Sequence, residues 1–243
     1  MYHNVKGNRE GADVLFIHEC MTSLILLMLQ LMVVLDLKIH YNNTMNQEWN
    51  VISQKKLVDS PWYKLNIETV RLPSGKVLDD YYVREGMNAV LIVPRTHEGK
   101  FLLVRQYKHG AQQSVIEFPA GKIDAGESAL IAAKRELYEE TGGTSSLFVE
   151  GPTFFEDATN SRVKIAIVFA DNVTIKHRQH LDDTEDIEVM HVTPDELRGM
   201  LMNNELSVAA SVAAGWMALE GGDNMKRHKS GIVNQVLKKQ TNG

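Results

Sequence analysis

Residues 121–143 read GKIDAGESALIAAKRELYEETGG, and this stretch decides how the rest of the chain is read. Ser128 is a residue type that starts helices and Gly142 one that stops them, so the spacing predicts a helix over 128–141. Glu136, Glu139 and Glu140 are three and four residues apart, which puts their carboxylates on one helical face. Leu130, Ala133 and Leu137 form an adjoining apolar stripe that can anchor the helix to a core. Three carboxylates packed so closely repel one another and weaken a bare helix. Hard divalent cations among them remove that repulsion, and an oxygen-only ligand set suits Mg2+ or Mn2+. Arg135 can hold one carboxylate through a two-point hydrogen bond. Gly121 and Gly126 give a tight loop where backbone atoms can approach a metal. Oxygen-held Mg2+ beside a cleft points to phosphate chemistry. A Glu-rich helix on its own is more ordinarily a solvated acidic face, paired here with Lys134 and Arg135. That plainer reading leaves Gly121, Glu127, Arg135 and Gly142 at their fixed offsets unexplained.

The rest of the composition is compatible with such a site. The chain has 243 residues, of which 44% are hydrophobic and 23% charged, enough apolar surface for a real core and too much for a disordered protein. A formal net charge of -5 argues against general nucleic-acid binding, which needs a basic footprint. The single cysteine, Cys20, excludes an internal disulfide framework and a Cys-rich zinc site, so a reducing, cytoplasmic location is the simplest expectation.

Residues 23–35 (SLILLMLQLMVVL) form an apolar run shorter than the roughly 20 residues a membrane helix needs. Three readings stand for residues 1–44: a buried or interfacial helix, a membrane-targeting segment, or sequence upstream of the natural start. Membrane insertion is the least favoured of them as an overall expectation. Residues 45–87 are expected to form an N-terminal β-hairpin region, 88–221 the main domain, and 222–243 a basic, solvated tail.

Within those bounds, 63–72 and 77–85 flank the turn at Pro73–Lys76 as a hairpin, and 89–94 with 101–107 make a second one. Shorter strand signals lie at 115–118, 163–170 and 187–192, and helices at 194–202, with Pro in its first turn, and 207–219. The alternation of β-rich and helical stretches suggests mixed α/β layers.

The residues at fixed offsets carry a resemblance. Gly121, Glu127, Arg135-Glu136, Leu137, Glu139-Glu140 and Gly142 stand in the register of the Nudix hydrolase box, and only Gly143 departs from it, where an aliphatic residue is usual. The resemblance implies an α/β/α sandwich around a mixed sheet, with an N-terminal antiparallel β-hairpin subdomain, and hydrolysis of a nucleoside diphosphate linked to another moiety. It implies Glu136 and Glu140 as metal ligands, Glu139 as a third ligand or water holder, and the Ala120 carbonyl as a backbone ligand. Glu127 would act at one remove from the metal or brace the loop through Arg135.

The flanks LVRQYKHG (103–110), EFPAG (117–121) and DSPW (59–62) look like the ADP-ribose and nucleoside diphosphate sugar pyrophosphatase branch. By that resemblance Arg105 contacts the diphosphate, with a strand-surface salt bridge as the alternative, and Glu117 helps bind substrate. The N-terminal hairpin of the branch commonly joins a homodimer, so Trp62 either stacks on a base across that interface or packs in a core. The branch typically has a proline in the loop after the box, where this chain has DATNSR at 157–162. Arg162 and Lys164 there either read a phosphate or decorate a strand edge. Family members often take a general base from a late acidic loop. In LDDTEDI (181–187) that implies Glu185 first and Asp183 second, with Glu139 as the other option. His177 and His180 follow a strand and are expected to serve a loop rather than a metal. The enzymatic expectation is Mg2+-dependent cleavage of ADP-ribose or a relative, with a GDP-mannose or other nucleotide-sugar hydrolase as alternative. A reading from another class, a ligand-sensing Nudix module, would call for lost box carboxylates and an attached DNA-binding domain, and neither is seen.

Overall fold

The computed structural model describes residues 48–61 and 63–221. The expectations for 1–44, for Trp62 and for the tail 222–243 lie outside the described residues. Contacts divide the described residues into two compact units, one holding those up to Gln54 with Glu68–Tyr81, the other Lys55–Ile67 with those from Tyr82 to Gly221.

Three strands begin the fold, β1 (Asn50–Asp59), β2 (Lys64–Arg71) and β3 (Val77–Glu85), in the order β1-β2-β3. β2 and β3 are the expected hairpin. Its turn is closed by Leu72 N–H donating to Lys76 O at 2.8 Å and Gly75 N–H to Leu72 O at 2.9 Å. β1 was not expected, because its apolar residues come as neighbours, Val51-Ile52 and Leu57-Val58, rather than in alternation. It is an edge strand with no buried residue, so no packing constraint imposes a period on it.

The second unit is built on a mixed sheet in the order β11-β5-β4-β10-β8. It comprises β4 (Ala89–Thr96), β5 (Phe101–Lys108), β8 (Gly143–Thr144), β10 (Lys164–Ile175) and β11 (Ile187–Val192). β6 (Gln113–Glu117) pairs with β5, β7 (Ala120–Lys122) with β4, and β9 (Leu147–Phe155) with β10. β4 and β10 run parallel at the centre. The expected hairpin of β4 and β5 survives only at its turn, where Arg95 pairs with Phe101. Beyond it the strands part, and β7 and β6 take the partnerships a plain hairpin would have used. β10 runs past its expected end at Ala170, through an irregularity at Asn172 (φ 57°). β9 escaped notice because Gly151-Pro152 interrupts its apolar pattern.

Strand alternation sends side chains of β4 to both faces of the sheet. Val90 and Ile92 meet Leu102, Val168 and the buried stripe Ala132, Ala133 and Leu137 of α1 (Ala129–Thr141). Leu91 and Val93 meet Leu103, Phe118 and Ile167 on the other face, covered by α2 (Pro194–Met202) and α3 (Ala209–Gly221). Helices on both faces of a mixed sheet make the α/β/α sandwich. α1 and α2 start where the sequence says they should, while α3 begins at Ala209, two residues after its expected start. The Ser128 hydroxyl accepts from Ile131 N–H, and Thr193 and Glu196 form a reciprocal capping box. Among the described residues no helix is long and apolar enough to cross a membrane.

One contact ties this frame to the strands that carry the site. Ser211 of α3 is fully buried, and its hydroxyl accepts the Phe118 N–H at 3.0 Å. Ser211→Ala leaves that donor orphaned, so urea denaturation is expected to show a loss of about 1–3 kcal/mol at unchanged m-value. Stability equal to the original chain would mean that the hydrogen bond contributes nothing.

Candidate active site

The site begins where β6 passes into β7. Phe118 is buried against the α2–α3 face, and Ile92 N–H donates to Pro119 O at 2.8 Å, which pins the turn. Ala120 N–H then points at the box helix and donates to Glu140 Oε2 at 3.0 Å. Gly121 follows, and a Cβ there would run into the Glu136 carboxylate, so any other residue would displace that carboxylate from its place. Backbone and helix are thereby pressed together at the two positions expected to hold a metal.

Arg135 organises the loop between β7 and α1. Its Nε and Nη2 donate to the two oxygens of Glu127 at 3.0 and 2.9 Å, and Nη2 also reaches Lys122 O at 2.9 Å. Nη1 is shared between Glu136 Oε1 at 2.7 Å and Glu139 Oε2 at 3.1 Å. This fork binds loop, helix and two box carboxylates through one planar group. Glu127 also accepts Asp124 N–H at 3.0 Å, and Arg135 with that bond holds its carboxyl below the usual range.

The deeper carboxylates behave in the opposite way. Glu140 is buried, and burial first, then the charge of Glu136, pushes its pKa up to about 8. Burial also raises Glu136, against the pull of Arg135, and Glu139 and Glu185 add to the rise. Glu117 raises Glu140 further, while Lys108 lowers it. Glu117, Glu127, Glu136, Glu139, Glu140 and Glu185 thus face only Arg135 and Lys108 as nearby cations named in these interactions. The site has a surplus of negative oxygen, held off at Glu140 by retention of a proton.

Such a donor set, carboxylates with backbone groups and no sulfur or imidazole, fits a hard divalent cation. Among the described residues no three acidic, histidine or cysteine side chains already surround one ion position, since Glu136 and Glu139 are turned onto Arg135. The chemistry of the set fits Mg2+ or Mn2+, with Glu140 as its buried member and Glu136 partly buried beside it.

Other residues singled out from the sequence are distributed unevenly. Glu117 is buried, with Oε1 accepting from Gln106 Nε2 at 3.1 Å and paired with Lys108 Nζ at 3.2 Å. Glu185 lies near enough to raise Glu136, and its carboxylate accepts Asp182 N–H at 3.2 Å. Asp183 is exposed on the same loop. Arg105 is exposed and paired with Glu188 across β5 and β11 at 3.1 Å, on the opposite side of β5 from buried Gln106. The cation that sequence reading missed is Lys108. Parity along the strand was the available signal, because i, i+2 alternation from Gln106 places Lys108 on its face and Arg105 on the other. Arg162 pairs with Glu85 at 2.6 Å, and Lys164 sits 5.3 Å over the Phe155 ring. His180 stacks on Tyr138 with centroids 5.1 Å apart, and His177 lies 5.3 Å from the same ring.

Residues 86–212 match the model of the NUDIX domain. The chain belongs to the Nudix family. Residues 49–83 match a second model, the nucleoside diphosphate sugar hydrolase N-terminal domain. The ADP-ribose pyrophosphatase of Bacillus subtilis (strain 168) is 28% identical over 168 residues, covering 69% of this chain and 90% of that protein. The ADP-ribose pyrophosphatase of Saccharomyces cerevisiae is 32% identical over 163 residues, covering 59% of this chain and 71% of that protein. A solved structure titled "Crystal structure of ADP compounds hydrolase" superposes with a TM-score of 0.67 at 22% identity, covering 74% of this chain and 97% of that one, which shows the shared fold.

The raised pKa of Glu140 gives this Nudix site a pH signature. The ordinary glutamate value is 4.5 and the folded value about 8, so the folded protein binds more protons between them. Its stability from this group is therefore greatest below pH 4.5, falls as pH rises, and levels off above pH 8. In EDTA at pH 8, Glu140→Gln is expected to melt above the original chain, and at pH 5 the two should converge. Adding Mg2+ at pH 8 should reverse the order, by stabilising only the chain that keeps the carboxylate. A melting difference independent of pH and Mg2+ would contradict the assignment.

Proposed function

We propose that this Nudix hydrolase cleaves the diphosphate bond of ADP-ribose or a related nucleoside diphosphate sugar, with Mg2+ as cofactor and Mn2+ as substitute, releasing a nucleoside monophosphate and a sugar phosphate. The observation that carries this reading is the crowding of partly buried Glu136 and buried Glu140 against Ala120 and Gly121. The named activities of the relatives and the nucleoside diphosphate sugar hydrolase N-terminal match support the substrate class.

Glu136, Glu140 and the Ala120 carbonyl would hold the metal, with Glu139 as a further ligand or water holder. Bound there, the cation would offset charge on phosphoryl oxygens and acidify a water. Lys108, held by Glu117, is the protein cation beside the cluster and would meet phosphate oxygens. Arg105, the diphosphate contact expected by resemblance, is paired with Glu188 on the other side of β5. Glu185 is the first choice of general base, because it stands close to Glu136 and is free of a cationic partner in the interactions described for it. Arg135 and Glu127 would keep the loop closed beneath the reacting phosphate. A cavity of about 460 Å3 beside Lys122, bordered by Tyr63, Arg84, Glu85 and Glu156, offers room for the part of the substrate remote from the metal.

A homodimer is part of the proposal. Val51, Ile52, Leu57 and Val58 are 42–52% exposed along β1, an apolar edge strand that no other described strand pairs on its outer side and of the kind a second copy covers.

Turnover of a panel of ADP-ribose, GDP-mannose, dinucleotides and nucleoside triphosphates tests the reading. ADP-ribose or another nucleoside diphosphate sugar is expected to be cut in Mg2+ and not in EDTA. Glu140→Gln should lower kcat at least about a hundredfold, and Glu139→Gln should lower it measurably. Undiminished turnover in both variants would remove the mechanism.

A further inference from the structure

The connection from β10 to β11, residues 176–186, carries Glu185 and is moored to one end of the box helix. The last carbonyls of an α-helix have no partner within the helix. Here two of them are met by backbone donors of this connection. His177 N–H donates to Gly142 O at 3.4 Å and His180 N–H to Glu139 O at 2.8 Å. Gly142 ends the helix in the left-handed conformation at φ 66°, and a Cβ there would strike the His177 carbonyl, so the two segments touch backbone to backbone.

Between them stands a side chain that does something different. Gln179 Nε2 donates to Glu140 O at 2.6 Å and to Ile187 O at 2.9 Å. Both hydrogens of one carboxamide are spent, one on the residue that bears the buried carboxylate, the other on the first residue of β11. Ile187 is two positions after Glu185. The loop between is closed on itself, with Glu185 N–H donating to Asp182 O at 2.9 Å and Asp182 N–H to the Glu185 carboxylate at 3.2 Å. It has no cationic anchor at Glu185 in these contacts, and it faces the like charge of Glu136. Repulsion between like charges would turn such a loop away from the helix unless something fixed its far end.

We propose that Gln179 is a positioning residue for the hydrolytic reaction, tying the end of the box helix to the start of β11 so that Glu185 is kept against the metal-binding carboxylates. This rests on the proposed function above, and it assigns Gln179 no contact with substrate. The constraint is a pair of hydrogen bonds to main-chain carbonyls, so a side chain of similar length without donors should release it.

The test joins hydrogen exchange with kinetics on the full chain, using Gln179→Met, Glu185→Gln and the double variant. In Gln179→Met without metal or nucleotide, amides of 181–187 are expected to exchange about tenfold faster, while those of 131–137 keep their protection. With ADP-ribose and Mg2+, kcat should fall about ten- to hundredfold with KM within about twofold. The double variant should be no slower than Glu185→Gln alone, because the tether then has nothing to position. Unchanged exchange in 181–187, a loss of protection spread over the helix, or a further full decrease of kcat in the double variant would each overturn the proposal. So would full turnover by Glu185→Gln. Failure of the original chain to hydrolyse any nucleotide of the panel would instead defeat the proposed function, and exchange would still decide whether Gln179 holds the loop.

Discussion

Glu136, Glu139 and Glu140 lie within little more than one turn of α1, where like charges repel and a partly buried setting strengthens the repulsion. Arg135 relieves it on the outer side by sharing its guanidinium among Glu127, Glu136 and Glu139. It does not reach Glu140, which has Ala120 N–H as its hydrogen-bond donor and retains a proton near neutrality. The shortage of positive charge at the inner end is the physical ground for a divalent cation, and the rest of the site is arranged around that shortage.

The sandwich turns this local problem into a stable one. Leu137 and the two alanines of the buried stripe fasten α1 to one face of the sheet, leaving its acidic side toward β7. On the other face, Ser211 holds the strand segment that delivers Ala120 and Gly121 to the same carboxylates. Gly121 and Gly142 mark the two closest approaches, at the start of the loop and at the end of the helix. At Gly142 backbone leaves no room for a side chain, and at Gly121 a side chain would displace the Glu136 carboxylate, so the two glycines let backbone reach carboxylate at one end and the β10–β11 connection at the other.

Much of this was legible in the sequence, where the information is local. The limits of α1 follow from Ser128 and Gly142, the start of α2 from Pro194, and the shared carboxylate face from spacing alone. Strands with one buried face or two were also readable, β11 to the residue. What escaped depends on partners distant in sequence. β1 has no buried face to impose alternation, and β9 is masked by Gly151-Pro152. The parting of β4 from β5 depends on competition from β7, β6 and β10, which no local pattern encodes. Arg105 was assigned by resemblance, and strand parity, which places Lys108 on the side of buried Gln106, was not used. Gln179 could not have been found at all, since a glutamine meeting two carbonyls leaves no signature in the chain.

The most direct measurement is a Mn2+ titration, followed by the loss of the free-ion EPR signal, of the original chain and of Glu136→Gln/Glu140→Gln. Mn2+ stands in for Mg2+ because both take hard oxygen donors. The expected result is saturable binding by the original chain and binding at least about a hundredfold weaker in the double variant, with the fold intact by circular dichroism. Equal affinity in the two folded proteins would contradict the claim that these two carboxylates are what captures the cation.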